Sequence, residues 1–452
     1  MVARPQPPAG RQLTGTEALM WSLDNEPSLR SSFMGITFLD RPPDPERFRR
    51  KMAEAIGSVN ALREHVVPTP FDLGPPRWEV DPAFDLDYHV RHLALPPPGS
   101  RRQLLDLAAV IYADPFDRGR PLWQFTIVEG LEGGGAALLA KMHHVLSDGV
   151  GAVRLSVSFL DLTPDGDPPA PRRAPAPVEH DGSGPGAWFD AAAGALGTVL
   201  SVARNPVGTA ASSLSTVRSV GRQLGLSDPA RSPLWAGERS LVHRFDTLAL
   251  DLTRTRAAAK ALGGTVNDAF VTVMAQAAGD YHRALGEDVD YLRITMPISV
   301  RHDREAAGNA WIPARLLVPT GQMAIDDRFA EVSATLQAAK RDRSLGVGGT
   351  LAGIAQRLPA PVLARFARQQ TATVDFACSN VRGAPFDLWI AGAKVLANHP
   401  LGPTAGVAFN ATVLSYLESL DLGLNTDTGA ITRPGLLRSC ITDAAEQLTG
   451  LA

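Results

Sequence analysis

The seven residues His143-His144-Val145-Leu146-Ser147-Asp148-Gly149 place two imidazoles, a carboxylate and a glycine side by side. An imidazole titrates at about 6.5, so one at this position can take a proton from an alcohol or thiol near neutral pH and return it later. Asp148 can hold a loop or an imidazole tautomer. Gly149 removes a side chain where the backbone turns tightly or a substrate comes close. The same residues also suit a plain loop, since paired histidines often pack or face water and Asp-Gly is a common turn. A zinc site is the weaker reading, because no nearby Cys, His or Glu completes a ligand set at the usual spacings. Taken alone, the motif leaves an active site and a bland loop both open.

The elements around the motif decide how it is presented. Residues 136–142 form an apolar run after the turn Gly133-Gly134-Gly135, and 151–162 carry leucines and valines at helical spacing, so the motif is expected at a strand-to-helix corner. Upstream, Thr16-Glu17-Ala18-Leu19 opens a short helix. Asp44-Pro45-Glu46 supplies an N-cap and an N1 proline for a second helix, running to about Ile56. Ser100 caps another helix that ends before Pro115, and 122–128 with 136–142 read as consecutive strands. A Pro-rich stretch from Thr163 leads into Asp181-Gly182-Ser183-Gly184-Pro185-Gly186, a linker composition. Residues 187–226 then show amphipathic helical spacing. They read as a connector packed on its neighbours or as a lipid-facing surface, with Arg204, Arg218 and Arg222 near anionic headgroups. In the second half, 265–285 and 326–343 read as helices, and 291–297, 312–319, 374–378, 388–396, 405–415 and 420–424 as strands. Pro434 begins a terminal helix. The fold class is therefore α+β, with an N-terminal domain over 1–163, a linker over 164–236 and a C-terminal domain over 237–452.

Composition narrows the function classes. A chain of 452 residues is longer than one core usually grows, so two domains are expected. A formal charge of −3, without a basic stripe, argues against nucleic acid as a partner. The two cysteines, Cys378 and Cys440, are too few for a disulfide framework and have no metal-ligand spacing, which points to a reducing, cytoplasmic setting. Residues 1–10 read as a short disordered arm without the apolar core of a signal peptide. The most membrane-like stretch, 191–203, falls short of the ~20 apolar residues of a spanning helix.

Several separated motifs agree with one family. The segment 13–23, the segment 78–91 with Trp78, Phe84 and Tyr88, Pro121-Leu122-Trp123, the His-His-x-x-x-Asp-Gly motif and Thr265-Val266-Asn267-Asp268 come in its order. Met296-Pro297-Ile298-Ser299-Val300-Arg301, Gly308-Asn309 and Ser379-Asn380-Val381-Arg382-Gly383 complete the set. Over nearly its whole length the chain resembles the bacterial wax ester synthase/acyl-CoA:diacylglycerol acyltransferases, themselves similar in fold to chloramphenicol acetyltransferase and other coenzyme A-dependent acyltransferases.

The resemblance implies two acyltransferase-like domains, with His144 near the middle of a tunnel between them. It implies transfer of a long-chain acyl group from acyl-CoA to diacylglycerol or a fatty alcohol, with His144 as general base and no covalent intermediate. Asn267 is then the candidate oxyanion donor, unless it only caps the helix that follows. Asp148 supports the motif loop. His143, Gly149, Asp268, Ser379 and Asn380 are candidates for substrate contact, though His143 could equally pack and Asp268 could support structure. Arg301 and Arg382 are candidate partners of coenzyme A phosphates. No metal and no cofactor are expected, acyl-CoA being a substrate, and association with a membrane or lipid-droplet surface follows from a greasy acceptor. The chain departs from the family pattern at Arg382 and Ala384, where prolines are common, at Trp235 after Ser232-Pro233-Leu234, and at Leu417-Glu418, which replaces an Asp-Gly or Asn-Gly turn. Two rival readings are a same-fold acyltransferase for a specialised alcohol or a carrier-bound acyl group, and a silent lipid-binding protein. A peptide-synthetase condensation module is a third.

Overall fold

The computed structural model describes residues 10–69, 76–146, 159–166, 232–299, 311–341, 365, 367–369 and 371–451, all belonging to one compact unit. The linker expected at 164–236 falls largely outside them.

Helix starts follow their local chemistry. Helix α1 (Gly15–Leu23) begins at Thr14, whose hydroxyl and Glu17 cap each other's backbone N–H groups. Helix α2 (Pro45–Ser58) is capped by Asp44, with Pro45 at its first position. The single turn α3 (Leu86–His89) follows Asp85, and α4 (Arg101–Ala113) opens on a Ser100/Gln103 capping box.

Around them lies a six-stranded sheet in the order β11-β12-β1-β6-β5-β4. Its strands are β1 (Ser32–Leu39), β4 (Val90–Ala94), β5 (Trp123–Glu129), β6 (Ala136–His143), β11 (Trp389–Ile390) and β12 (Ala393–Leu401). The short pair β2 (Glu64–Val67) and β3 (Arg77–Val80) stands apart. The period-2 alternation of β6 sorts its residues between two cores. Leu138 and Met142 pack with Phe48 and Met52 of α2, while Ala137 and Leu139 pack with Leu104 and Ala108 of α4.

The second sheet runs β7-β14-β13-β10-β8-β9. Its strands are β7 (His243–Asp251), β8 (Tyr291–Ser299), β9 (Trp311–Pro319), β10 (Phe376–Arg382), β13 (Phe409–Tyr416) and β14 (Ser419–Asp427). Helices α5 (Leu252–Ala261), α6 (Val266–Ala284), α7 (Ile325–Arg341) and α8 (Pro434–Thr449) accompany it. Phe270, Met274, Phe329 and Ile441 pack on its Ile294, Val413 and Leu422. Trp235 is fully buried in this core, against His282, Phe376 and Phe409.

Two strands of the second half therefore complete the first sheet. The run 388–396 is not one strand: Ala391 and Gly392 take positive φ of 46° and 89°, and the chain folds there into the β11–β12 hairpin. Beyond it, β12 pairs with β1 and lies against β14. Asn398 N–H donates to Asp421 (2.7 Å), and His399 Nδ1 lies 3.1 Å from the Leu422 carbonyl. A side chain at Gly423 would meet the Pro400 carbonyl at 1.9 Å, so only glycine lets the strands approach this closely. The β13–β14 hairpin keeps its register with Leu417 at a φ of 51°, a left-handed conformation that favours glycine or asparagine.

Candidate active site

The motif's first half is held by its backbone. His143 N–H donates to Leu122 O and His144 N–H to Ser31 O, each at 3.0 Å. Leu146 N–H donates to His143 O at 3.0 Å and Val145 N–H to His143 Nδ1 at 3.1 Å. Val145 and Leu146 close the turn from below, in a small core with Ala18 and Trp21 of α1, Trp78 and Leu122. Residues 147–158, with Asp148, Gly149 and the helix expected after the corner, lie outside the described residues.

The two histidines have different surroundings. His143 is 1% exposed, and because Nδ1 accepts from Val145, its proton sits on Nε2, 3.0 Å from Asp24 Oδ1. His143 packs within the protein, with Nδ1 on the Val145 N–H and Nε2 facing the Asp24 carboxylate. Burial pushes the Asp24 carboxyl up, but hydrogen bonding and charge from His143, the Ser31 N–H and nearby Arg118 outweigh it, and its pKa lies below the usual carboxylate value. His144 is half-buried, its ring 4.7 Å from Phe33 and tilted by 44°.

Lys141, two residues before His143, is buried with its ammonium on Ile111 O (2.8 Å) and Asp114 O, over the Phe116 ring. It closes the C-terminus of α4 and fixes that helix against β6. Burial pushes its pKa down to about 8, with Asp114 opposing the shift. Tyr112 of α4 donates to Ser32 O at 2.9 Å and sets its ring against His243 and Phe245, tying β1 to the second sheet beside the motif.

A second group of expected residues gathers at the start of α6. Asn267 is not the cap: Thr265 is, in a capping box with Asp268. Asp268 is buried, its Oδ2 accepting from Thr265 N–H (2.7 Å) and Oγ1–H (2.8 Å), which makes it part of the helix terminus. Asn267 is freed of capping. Its Oδ1 accepts from Asn380 Nδ2 at 3.3 Å, and its own Nδ2 faces Met296 Sδ at 3.9 Å. The strand expected over 374–378 runs on through Ser379 and Asn380, because β10 continues to Arg382 and pairs them with Thr412 and Val413 of the parallel β13. Arg382 is exposed, and Arg301 lies outside the described residues. Among the described residues, no three His, Cys, Asp or Glu side chains gather in a metal-binding arrangement.

Asp24, Ser31, Tyr112 and Lys141 carry no sequence signal of their role. Each acts through a contact far along the chain: the pairing of β1 with β6, Ser32 opposite His143, brings Ser31 and the Tyr112 contact to the motif, Asp24 reaches it by its side chain, and Lys141 reaches back to the end of α4.

In fold the chain is similar to the wax ester synthase/diacylglycerol acyltransferase of Marinobacter aquaeolei VT8, with a TM-score of 0.67 and 23% identity, covering 97% of this chain and 98% of that one. It is also similar to the starter condensation domain of rhizomide synthetase, with a TM-score of 0.60 and 16% identity over 97% and 94% of the two chains. In sequence, residues 13–270 match the wax ester synthase/diacylglycerol acyltransferase catalytic domain, and 308–449 match the C-terminal domain of that family. A putative diacylglycerol O-acyltransferase of Mycobacterium tuberculosis is 32% identical, covering 98% of this chain and 92% of its own. The chain belongs to the wax ester synthase/diacylglycerol acyltransferase family.

Proposed function

We propose that this protein is an O-acyltransferase that moves a long-chain acyl group from acyl-CoA to the hydroxyl of a diacylglycerol, a fatty alcohol or both. The observation that carries the reading is family likeness along both halves of the chain, together with an intact His144 at the exit of β6. His144 takes the acceptor's hydroxyl proton as its oxygen attacks the thioester carbonyl. The tetrahedral oxyanion then collapses, the C–S bond breaks, and the imidazolium returns the proton to the coenzyme A thiolate. Acyl group and proton balance with no covalent enzyme intermediate and no metal or added cofactor.

Asn267 is the proposed oxyanion donor. Because its Oδ1 is taken by Asn380, the amide presents Nδ2, which among the described residues faces a thioether, a weak acceptor. An amide oriented in advance stabilises the developing charge without reorganising. Asp148 and Gly149 shape the motif loop beyond His144. Ser379, next to Asn380 on β10, faces the other side of that strand and is a further candidate for substrate contact. No helix among the described residues is long and apolar enough to cross a membrane. The greasy acceptor itself is the reason to place the reaction at a membrane or lipid-droplet surface in the cytoplasm, by peripheral contact.

The test is ester formation from palmitoyl-CoA with dioleoylglycerol and with hexadecanol, by wild type and His144→Ala. Product that disappears in the variant is expected, and the ratio of the two esters names the main acceptor. Undiminished product from His144→Ala would remove His144 from the mechanism. Folded wild type that makes neither ester would move the reading to a specialised alcohol or a binding role.

A further inference from the structure

The carboxylate of Asp24 lies behind the motif and touches both sides of the turn that carries His144. On one side its Oδ1 is 3.0 Å from His143 Nε2, and His143 Nδ1 accepts the Val145 N–H at 3.1 Å. On the other side the Ser31 backbone N–H helps hold the Asp24 carboxyl below its ordinary pKa, and the Ser31 carbonyl accepts the His144 N–H at 3.0 Å. Two chains of contacts thus leave one carboxylate and end on the N–H groups of His144 and of the residue after it. The two atoms meet as a close pair and not as an aligned hydrogen bond: both are buried, and neither makes a hydrogen bond elsewhere.

Asp24 is itself braced. It is the C-cap of α1, with its N–H on Met20 O. Arg118 lies over the Trp21 ring, donates to Trp21 O at 2.9 Å and bonds Asn25, which fixes the end of the helix.

We infer that Asp24 is a positioning residue for the acyl transfer, holding the turn that aims His144 by fixing the tautomer of His143 and the place of Ser31. This rests on the proposed role of His144. The physical content is the tautomer. A carboxylate beside Nε2 keeps the proton there, so that Nδ1 remains an acceptor for Val145. With the carboxylate gone, the ring proton can move to Nδ1, where it opposes the Val145 N–H, and the Ser31 arm loses its anchor as well. His144 then sits in a wider range of orientations. An asparagine offers one acceptor oxygen, so Asp24→Asn keeps a single arm.

The experiment compares wild type, Asp24→Asn and Asp24→Ala in palmitoyl transfer, alongside histidine side-chain 15N spectra that report which ring nitrogen of His143 is protonated. Misplacing a reacting group by about 1 Å costs on the order of a hundredfold. The expected result is therefore a kcat lowered about a hundredfold in Asp24→Ala and about tenfold in Asp24→Asn, with KM for acyl-CoA within about twofold, and loss of the pure Nε2–H tautomer in Asp24→Ala. A kcat in Asp24→Ala within about twofold of wild type overturns the proposal, and so does an unchanged His143 spectrum. If Asp24→Ala does not fold, Asp24→Asn decides: a reduced kcat at constant KM supports the proposal, and a wild-type kcat overturns it. If wild type transfers no acyl group, the reading of His144 fails separately, while the spectra still decide whether Asp24 sets the tautomer.

Discussion

Acid should loosen the seam between the two sheets, and His399 gives the effect a magnitude. His399 lies on β12 at 1% exposure, its Nδ1 on the Leu422 carbonyl of β14 and its ring edge-on to Phe38. Burial lowers its pKa from 6.5 to about 4, and the Arg101 charge adds to the effect, against the Leu422 hydrogen bond. Because the folded pKa lies below the unfolded one, the unfolded chain binds the extra proton first as the pH falls. The contribution is fully present above pH 6.5, drains away between 6.5 and 4, and levels off below. At 1.36 kcal/mol for each pH unit between the two values, the full loss is about 3 kcal/mol, a large share of an ordinary domain's stability. The neighbouring Asp421, raised by burial, works in the opposite direction. His89, His243 and His282, each lowered first by burial, add losses of the same sign. A comparison with His399→Gln isolates the one residue, since glutamine can donate to Leu422 without titrating. Urea unfolding from pH 7.5 to 4 should show wild type losing about 3 kcal/mol more than the variant. Parallel curves for the two proteins would refute the reasoning and place the acid sensitivity elsewhere.

Four further outcomes follow from single contacts. Asn267→Ala should lower kcat about a hundredfold, the usual cost of an oxyanion donor, with little change in KM, while Asn380→Ala should have a smaller effect by letting the amide turn; steady-state kinetics with palmitoyl-CoA measures both. Thr265→Ala removes the α6 cap and should cost about 1 kcal/mol in urea unfolding, with an added fall in kcat because Asn267 rides on that first turn. Leu417→Gly should raise stability by about 1 kcal/mol, since a partly exposed leucine at a φ of 51° gives up little packing and relieves strain; an unchanged unfolding midpoint would count against this. Asp161→Ala leaves buried Lys51 without its carboxylate and removes the Arg47 pair at 2.8 Å, so a loss of about 3–5 kcal/mol is expected by chemical unfolding.

Helix starts were legible because caps are local: Asp44-Pro45, Ser100 and the following residues state their own geometry. The Thr265-x-x-Asp268 box was equally local. Reading Asn267 as the possible cap missed by two residues, and placing the cap correctly is what releases Asn267 for chemistry. The strand 388–396 was misjudged because its apolar residues run on through Ala391-Gly392, and a turn residue inside an apolar run carries a weak signal. What the sequence hid most completely was long-range pairing. Nothing near His399 says that it will lie opposite Ile36 in the first sheet, and nothing near Asp24 says that it will meet His143. The separate surroundings of His143 and His144 depend on those partners.

Strand β1 connects the candidate site to the seam. One edge pairs along its whole length with β6, so that Ser32 stands opposite His143, while its other edge pairs with β12, Met34 with Leu401 and Ile36 with His399. The Ser31 and Ser32 carbonyls are both spent on the site's surroundings, one on the His144 N–H and one on the Tyr112 hydroxyl that reaches toward β7. With its N–H groups and carbonyls committed on both edges, β1 cannot slide by one residue without turning its whole apolar set to the wrong face. The turn that carries His144 therefore takes its register from strands of both halves. This gives a physical reason for the second half to contribute β12 to the first sheet: the joint between the two halves also fixes the position of the proposed base.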